Sequence, residues 1–351
     1  MPTPTEIPSQ ASWPQDRPDS PHPPTPEAPY FDDALQAWVF SRYSDVVAAM
    51  RNPLLSPVGL ASSKTPSPLS DKQRHAMRSE TLAILSASQL RLWKKQALHH
   101  AEQLLTLLPQ DRPIDLLGEY ARPVCLSLAT TVTGVRHDDP QQLCPHARAL
   151  SLSSADPYNP DLRAQAKSAS ATLQPYFPPG PETLRSSGFV ALTQTLPFLL
   201  GNAWFALLQH PHEWDRLHHD PHLIESAVHE LIRFAGLTRV LARQATADLH
   251  LHGAHIRKDQ RVILRLTAAN KDSEIFDHPG NLNITRPTTK HLSFGAGRHA
   301  CTGAGLLRMM AIATTAPLVS RFSAAPLARN VEWQGGATFL APRALWVHLR
   351  S

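Results

Sequence analysis

The run GFVALTQTLPFLLGNAWFALL, Gly188 to Leu208, constrains the chain more than any other stretch. At roughly 20 residues it is long enough to cross a bilayer. Thr193, Gln194, Thr195, Pro197 and Asn202 interrupt it, however, and no basic flank anchors it, so no membrane span is expected. A helix apolar on every side must then lie at the centre of a large soluble domain. A chain of 351 residues, 42% of them hydrophobic, can supply the surrounding shell.

The flanking patterns are mainly helical. Asp71 to about Leu108 reads as helix, as does Ile114 to Val135, closed by Gly134. Pro211 to His219 and Leu223 to Phe234 follow, and a last helix starts near Thr302. AWVFSRYSDVVAAMRNPLLS reads as a strand and then a helix, with Ser44 and Asp45 as candidate caps. Period-two alternation marks TRVLARQATADLHLHG, RVILRLT and the terminal ALWVHLR as strands. Residues 136 to 187 are polar and broken by proline, which suggests short helices and exposed loops. Residues 1 to 29 carry ten prolines and too few apolar groups for a core, so they read as a disordered tail. Residues 30 to 351 read as a single, mostly α domain with small β-sheets.

Composition excludes several classes. The charge sum, 34 − 29 = +5, comes without a long Lys/Arg run, so no nucleic-acid partner is expected. Cys125, Cys144 and Cys301 are too few and too scattered for a disulfide framework, and the N-terminus lacks an export signal, which together point to the cytoplasm. His218 and His222, spaced i, i+4 in RLHHDPH, have metal-chelating spacing, but nothing nearby completes a ligand set and a solvated face is expected.

Chemistry concentrates in FGAGRHACTG, Phe294 to Gly303. Gly295 and Gly297 permit positive-φ turns and close approach of a flat partner. Cys301 stands where a helix begins, and free N–H groups there favour a thiolate, a ready metal ligand. This combination of residues at fixed offsets arises by chance in on the order of one in 10⁷ positions.

The loop resembles the haem-binding signature of the cytochrome P-450 family. By that resemblance Cys301 is the proximal ligand of the iron of haem b (iron protoporphyrin IX), Phe294 packs against the ligand loop beside Gly295, and His299 reaches a haem propionate. Glu230 and Arg233 in HELIRF face the same way at i, i+3. They resemble the family's K-helix pair, with Arg286 as third member, locking the meander behind the Cys loop. Arg243, Arg78 and Arg74 match positions where the family holds propionates, a task suited to the bidentate guanidinium. The implied fold is that of a cytochrome P-450, with a long central I helix over haem and an abbreviated F, G and H region.

The same resemblance puts Ala191, Leu192, Thr193, Gln194 and Thr195 on the oxygen-activating segment. Thr195 takes the place of the proton-delivering threonine, and Ala191 leaves room over the iron. Gln194 replaces the usual acid and cannot exchange protons as a carboxyl does, while Leu192 replaces the usual glycine. Pro197 lacks the N–H that would bond the Thr193 carbonyl, so a distortion is expected there, with a water passing protons around Gln194.

The reading that follows is a haem-thiolate monooxygenase of secondary metabolism, a monomer, hydroxylating or epoxidising a small-molecule or carrier-bound substrate with electrons from a ferredoxin or flavodoxin and its reductase. The alternative keeps the haem but uses peroxide, or catalyses coupling, dehydration or rearrangement, because of Gln194. A third reading, a haem sensor using Cys301 and Cys144, makes little use of Thr195 in a buried helix.

Overall fold

The computed structural model describes residues 26–57, 71–156, 159–180, 184–287, 290–336 and 338–351. Most of the Pro-rich tail and the loop after Pro57 therefore lie outside the described residues.

The apolar run folds as one helix, Ser186–Leu208, long and apolar enough to cross a membrane but buried inside the protein over most of its length. Every residue from Leu196 to Leu207 is buried. Its regularity breaks once. Ala191–Thr195 forms a π turn in which the Leu196 N–H reaches the Ala191 carbonyl, five residues back. Pro197 accounts for this physically, since its ring would clash with the carbonyl of Thr193 in a regular α-helix and it brings no N–H to bond it. The distortion expected at Pro197 takes the form of this widened turn, after which the helix continues.

Several local expectations need correction. Asp71 to Leu108 is two helices, Asp71–Ile84 and Ala87–Leu107, because Ser86 turns extended and its hydroxyl accepts from the Gln89 N–H, starting a new helix. Ser44 and Asp45 do not cap Tyr43–Arg51. Arg42 is the flanking residue, and Asp45 sits in the first turn, where its carboxylate meets His252 Nδ1 at 2.7 Å. Between residues 136 and 187, Cys144–Ala155 and Pro160–Leu173 are full helices. Pro160 at the first position and the Asn159 carboxamide, which accepts from the N–H groups of Asp161 and Leu162, start the second of them. Gly134 closes Arg122–Thr133 with φ 61°, as its position implied.

Two main cores result among the described residues, beside a small third cluster of Leu35, Ala37, Val39 and Ile263. The larger surrounds the central helix, with Trp204, Phe189, Tyr120 and Met310 almost wholly inside it. The smaller lies under a five-stranded sheet in the order Tyr30–Asp32, Ala37–Phe40, Arg261–Arg265, Val240–Ala245, Leu55–Pro57. Only the Ala37–Phe40 and Arg261–Arg265 pair is parallel. Helix Tyr43–Arg51 packs Val46, Ala49 and Met50 onto Phe40, Val262 and Leu264 of this sheet. The segment before Cys301 joins the two cores: Leu292 and Ala296 dock on the sheet side, and Phe294 between them docks on the helical side.

Candidate active site

The Cys loop is fixed by its own backbone and by its neighbours. The Cys301 N–H donates to the Phe294 carbonyl at 2.8 Å, and the Gly295 N–H to that of Leu292 at 2.7 Å. Gly295 and Gly297 have φ 72° and 71°, where a side chain is strained. At Gly297 a Cβ would also press to 3.1 Å on the Met50 carbonyl. Arg298 donates to the Pro53 carbonyl at 2.8 Å, clasping the loop to the end of the Tyr43–Arg51 helix. Cys301 itself precedes the last helix, Ala304–Arg321, by three residues.

That placement changes the expectation for its thiol. Burial pushes the Cys301 thiol up, against the weaker opposing pulls of the Gly303 N–H and the Arg78 guanidinium. Cys301 is nevertheless exposed by surface area, so the shift reflects protein atoms crowded around the sulfur, and a nearby cation would favour its thiolate. Arg78 does not sit free. Its Nη1 donates to the Ala300 carbonyl at 2.6 Å and the Thr302 hydroxyl at 3.0 Å, so it braces the loop on either side of the cysteine. The side chain of Arg74 lies outside the described residues. His299 is half-buried on the short turn Gly297–His299.

Cys301 borders a cavity of about 210 Å³ whose walls are mostly apolar. Leu85 comes from the turn just after helix Asp71–Ile84, Ala191 and Leu192 from the π turn of the central helix, and Leu306 and Leu307 from the helix after the cysteine. Ala191 thus faces the same cavity as the sulfur. Gln194 and Thr195 are not among the cavity's lining residues. The hydroxyl of buried Thr193 donates to the Phe189 carbonyl at 2.7 Å, and the Gln194 amide approaches that hydroxyl at 3.5 Å. The polar patch is therefore at least partly committed to its own helix.

Beneath the loop lies a buried ion network. The guanidinium of Arg233 meets Glu230 twice, at 2.7 and 2.8 Å, and Arg286 Nε meets the same carboxylate at 3.1 Å. Remaining donors go to backbone: Arg233 to the carbonyls of Asn270 and Pro279, Arg286 to that of Asp277. The Asn283 N–H adds a further bond to Glu230. One carboxylate and two arginines thereby tie the segment from Asn270 to Arg286 to helix Ile224–Phe234.

Asn270 and Ser293 complete the support, and the sequence did not mark them. Asn270 accepts from the Leu292 N–H at 2.6 Å and donates to the Ser293 hydroxyl at 2.9 Å, which in turn donates to the Ile232 carbonyl at 2.7 Å. Gly236 permits this approach, since a Cβ there would fall 2.6 Å from both the Ile232 carbonyl and the Ser293 hydroxyl. The only signal was an asparagine and a serine at positions later found buried, and such residues are common in loops.

Arg243 supplies the test of whether a carboxylate-bearing group fits. It is 6% exposed, its Nη1 donates to the Ala242 carbonyl, and its Nε has no hydrogen-bond partner among the described residues. Burial lowers its pKa, and the nearby Arg298 charge lowers it further. A buried guanidinium facing another cation and pairing with no carboxylate is short of an anion. A flat, largely apolar group carrying carboxylates and an iron suits this donor set, with Cys301 for the iron and Arg243 for a carboxylate. His218 and His222 do not form a chelate. The helix ends at His219, and His218 Nδ1 lies 2.7 Å from the Val319 carbonyl.

Comparison with known proteins agrees with this geometry. Residues 210–338 match the family model described as Cytochrome P450. Over 129 residues the chain is 43% identical to cytochrome P450 CYP107DY1 of Priestia megaterium, which covers 37% of this chain and only 32% of that protein. It is 27% identical to nocardicin C N-oxygenase of Nocardia uniformis subsp. tsuyamanensis over 90% of this chain and 89% of that protein. Among solved structures, P450BioI in complex with an acyl carrier protein ligated to hexadec-9Z-enoic acid superposes with TM-score 0.80 at 22% identity, covering 90% of this chain and 92% of that one.

Proposed function

The chain belongs to the cytochrome P450 family, and from that premise we propose that it is a haem-thiolate monooxygenase, inserting oxygen from O₂ into a small organic substrate by hydroxylation or epoxidation. The observation that carries this reading is Cys301 bordering a mostly apolar cavity that Ala191 and Leu192 also line. Haem b bound there supplies one-electron and O₂ chemistry at its iron.

The chain's own residues divide the remaining work. Cys301 holds the iron, and Arg78 and the Gly303 N–H steady the sulfur's negative charge. Arg243 takes a propionate, with His299 and Arg74 as further candidates. Phe294 and Gly295 shape the loop, while Glu230, Arg233 and Arg286 keep its support rigid. Ala191 leaves space for substrate, and the leucines of the cavity exclude water. Thr195 delivers the proton in this reading, with Gln194 orienting a water that carries it.

Electrons come from a separate ferredoxin or flavodoxin and its reductase, and the protein works as a cytoplasmic monomer in secondary metabolism. A carrier-bound substrate is part of the reading because a structural neighbour is bound to an acyl carrier protein. Use of peroxide, or coupling, dehydration or rearrangement, is the second reading. It draws support from the position of Gln194 and Thr195 away from the cavity lining and from the Thr193 hydroxyl bonded to its own helix.

The test is spectroscopic first. The ferrous carbon-monoxide complex should carry the thiolate signature, and Cys301→Ser should abolish it while the fold is retained. A retained signature in that variant would end the reading. Turnover with O₂ and a reducing partner, set against turnover with peroxide, then separates the two chemistries.

A further inference from the structure

The hairpin Leu249–Leu251 and Ala254–Ile256 pairs the two strands in the register Leu249↔Ile256, His250↔His255, Leu251↔Ala254. Its loop is the two residues His252 and Gly253, with φ 48° and 85°, the double positive φ of the tightest hairpin turn. The pair beside such a loop, Leu251 and Ala254, exchanges hydrogen bonds. His250 and His255 therefore form the next, non-hydrogen-bonded pair, whose side chains stand closest in an antiparallel ladder. Leu249, Ala254 and Ile256 point into the sheet core, so both histidines point outward, where they are exposed.

Their rings lie face to face, centroids 4.3 Å apart and planes within 3°. Other histidines of the chain spend Nδ1 on the fold: those of His210, His218 and His219 lie against the carbonyls of Ala206, Val319 and Asp215, and that of His252 against the Asp45 carboxylate. Among the described residues, His250 and His255 make no hydrogen bond and no ion pair. Two imidazoles with unspent nitrogens stand side by side on a backbone that cannot slip register without exposing Leu249 and Ile256, and rotation of the exposed rings out of their stack brings one nitrogen of each toward a common ion.

We propose that His250 and His255 form a two-imidazole surface site for a borderline divalent transition ion, copper(II) foremost. Two nitrogens on adjacent strands supply neighbouring corners of a square plane, the geometry copper(II) prefers, and copper(II) stands at the top of the affinity order for such ligands. Among the described residues no group of three or more His, Cys, Asp or Glu side chains is placed to hold a metal ion, so water or an external chelator fills the other corners. The site is separate from the Cys301 cavity and does not depend on the activity proposed above.

The probe is copper(II) iminodiacetate, whose three donor atoms leave adjacent positions for two imidazoles and discriminate against single surface histidines. Calorimetric titration of the haem-loaded full chain should give one tight equivalent. His250→Ala and His255→Ala, each alone, should weaken that equivalent tenfold or more, and His218→Ala should leave it unchanged. The side chains at 250 and 255 are exposed, and an unchanged thermal midpoint would establish that each variant is folded. Absence of a saturable equivalent, or an affinity unaffected in either single variant, overturns the assignment.

Discussion

Glu230 is the residue on which most of the support behind the Cys loop converges. It is fully buried and carries two guanidinium groups and a backbone N–H. A buried ion pair adds little over a well-packed apolar substitute, but removing one partner strands the others, at about 3–5 kcal/mol. Glu230→Gln should therefore lower the denaturant midpoint by that order and reduce haem retention. A variant as stable as the parent would mean that water enters the network. Arg78→Ala is a milder case, since the guanidinium bonds one carbonyl and one hydroxyl of the loop. A loss of about 1–3 kcal/mol is expected, with faster haem transfer to an acceptor protein as the measurement. Equal transfer rates in parent and variant would count against bracing by Arg78.

At the scale of elements, patterns governed by side-chain chemistry were readable and those governed by tertiary company were not. Gly188 to Leu208 declared itself a buried helix because no other soluble structure hides so continuous an apolar surface, and Gly295, Gly297 and Cys301 marked their loop by type and spacing. The break at Ser86 was missed because the residues on both sides favour helix, and only a cap seen in place divides them. The Ser44 and Asp45 caps failed for a related reason: Arg42 adopts extended backbone and starts the helix without a side-chain cap. Asn270 and Ser293 were invisible, since their partners lie more than 20 residues away in sequence. Pro197 was legible as a disturbance, although its form as a π turn required the structure. That turn leads to a prediction. Because the wide turn already absorbs the proline, Pro197→Ala should change stability by under about 1 kcal/mol, well short of the roughly 3 kcal/mol a proline costs inside a regular helix. The variant should instead close the turn, shift Ala191 and Leu192 against the cavity, and alter the spectral response to bound ligands. Unchanged ligand spectra in Pro197→Ala would separate the proline from the shape of the cavity.

For the whole molecule, the two cores meet along residues 291 to 296, and a histidine at this seam makes global stability depend on pH. His291 lies beside His229 at 6.0 Å between ring centres and against Phe294 at 5.7 Å. Burial lowers its pKa to about 4, helped by His229, Arg308 and Arg233 and opposed by Glu230. His229 is lowered as well, first by burial and then by Arg308, against Glu225. Both rings are thus held neutral in the folded state, whereas in the unfolded chain a histidine titrates near 6.5. Between those values the unfolded state binds more protons, so folding stability is fully present above about pH 6.5 and falls as the pH drops toward 4. The His291 ring is only half-buried by surface area, so its share is on the order of 2 kcal/mol, less than the whole shift would give. His291→Asn removes the titration while keeping a smaller polar group near the place of Nδ1, and denaturation curves at successive pH values should lose much of their slope between about 6.5 and 4. An undiminished slope would assign the acid sensitivity to the carboxylates, Glu230 foremost, and would mean that the seam between the cores tolerates a charged imidazole.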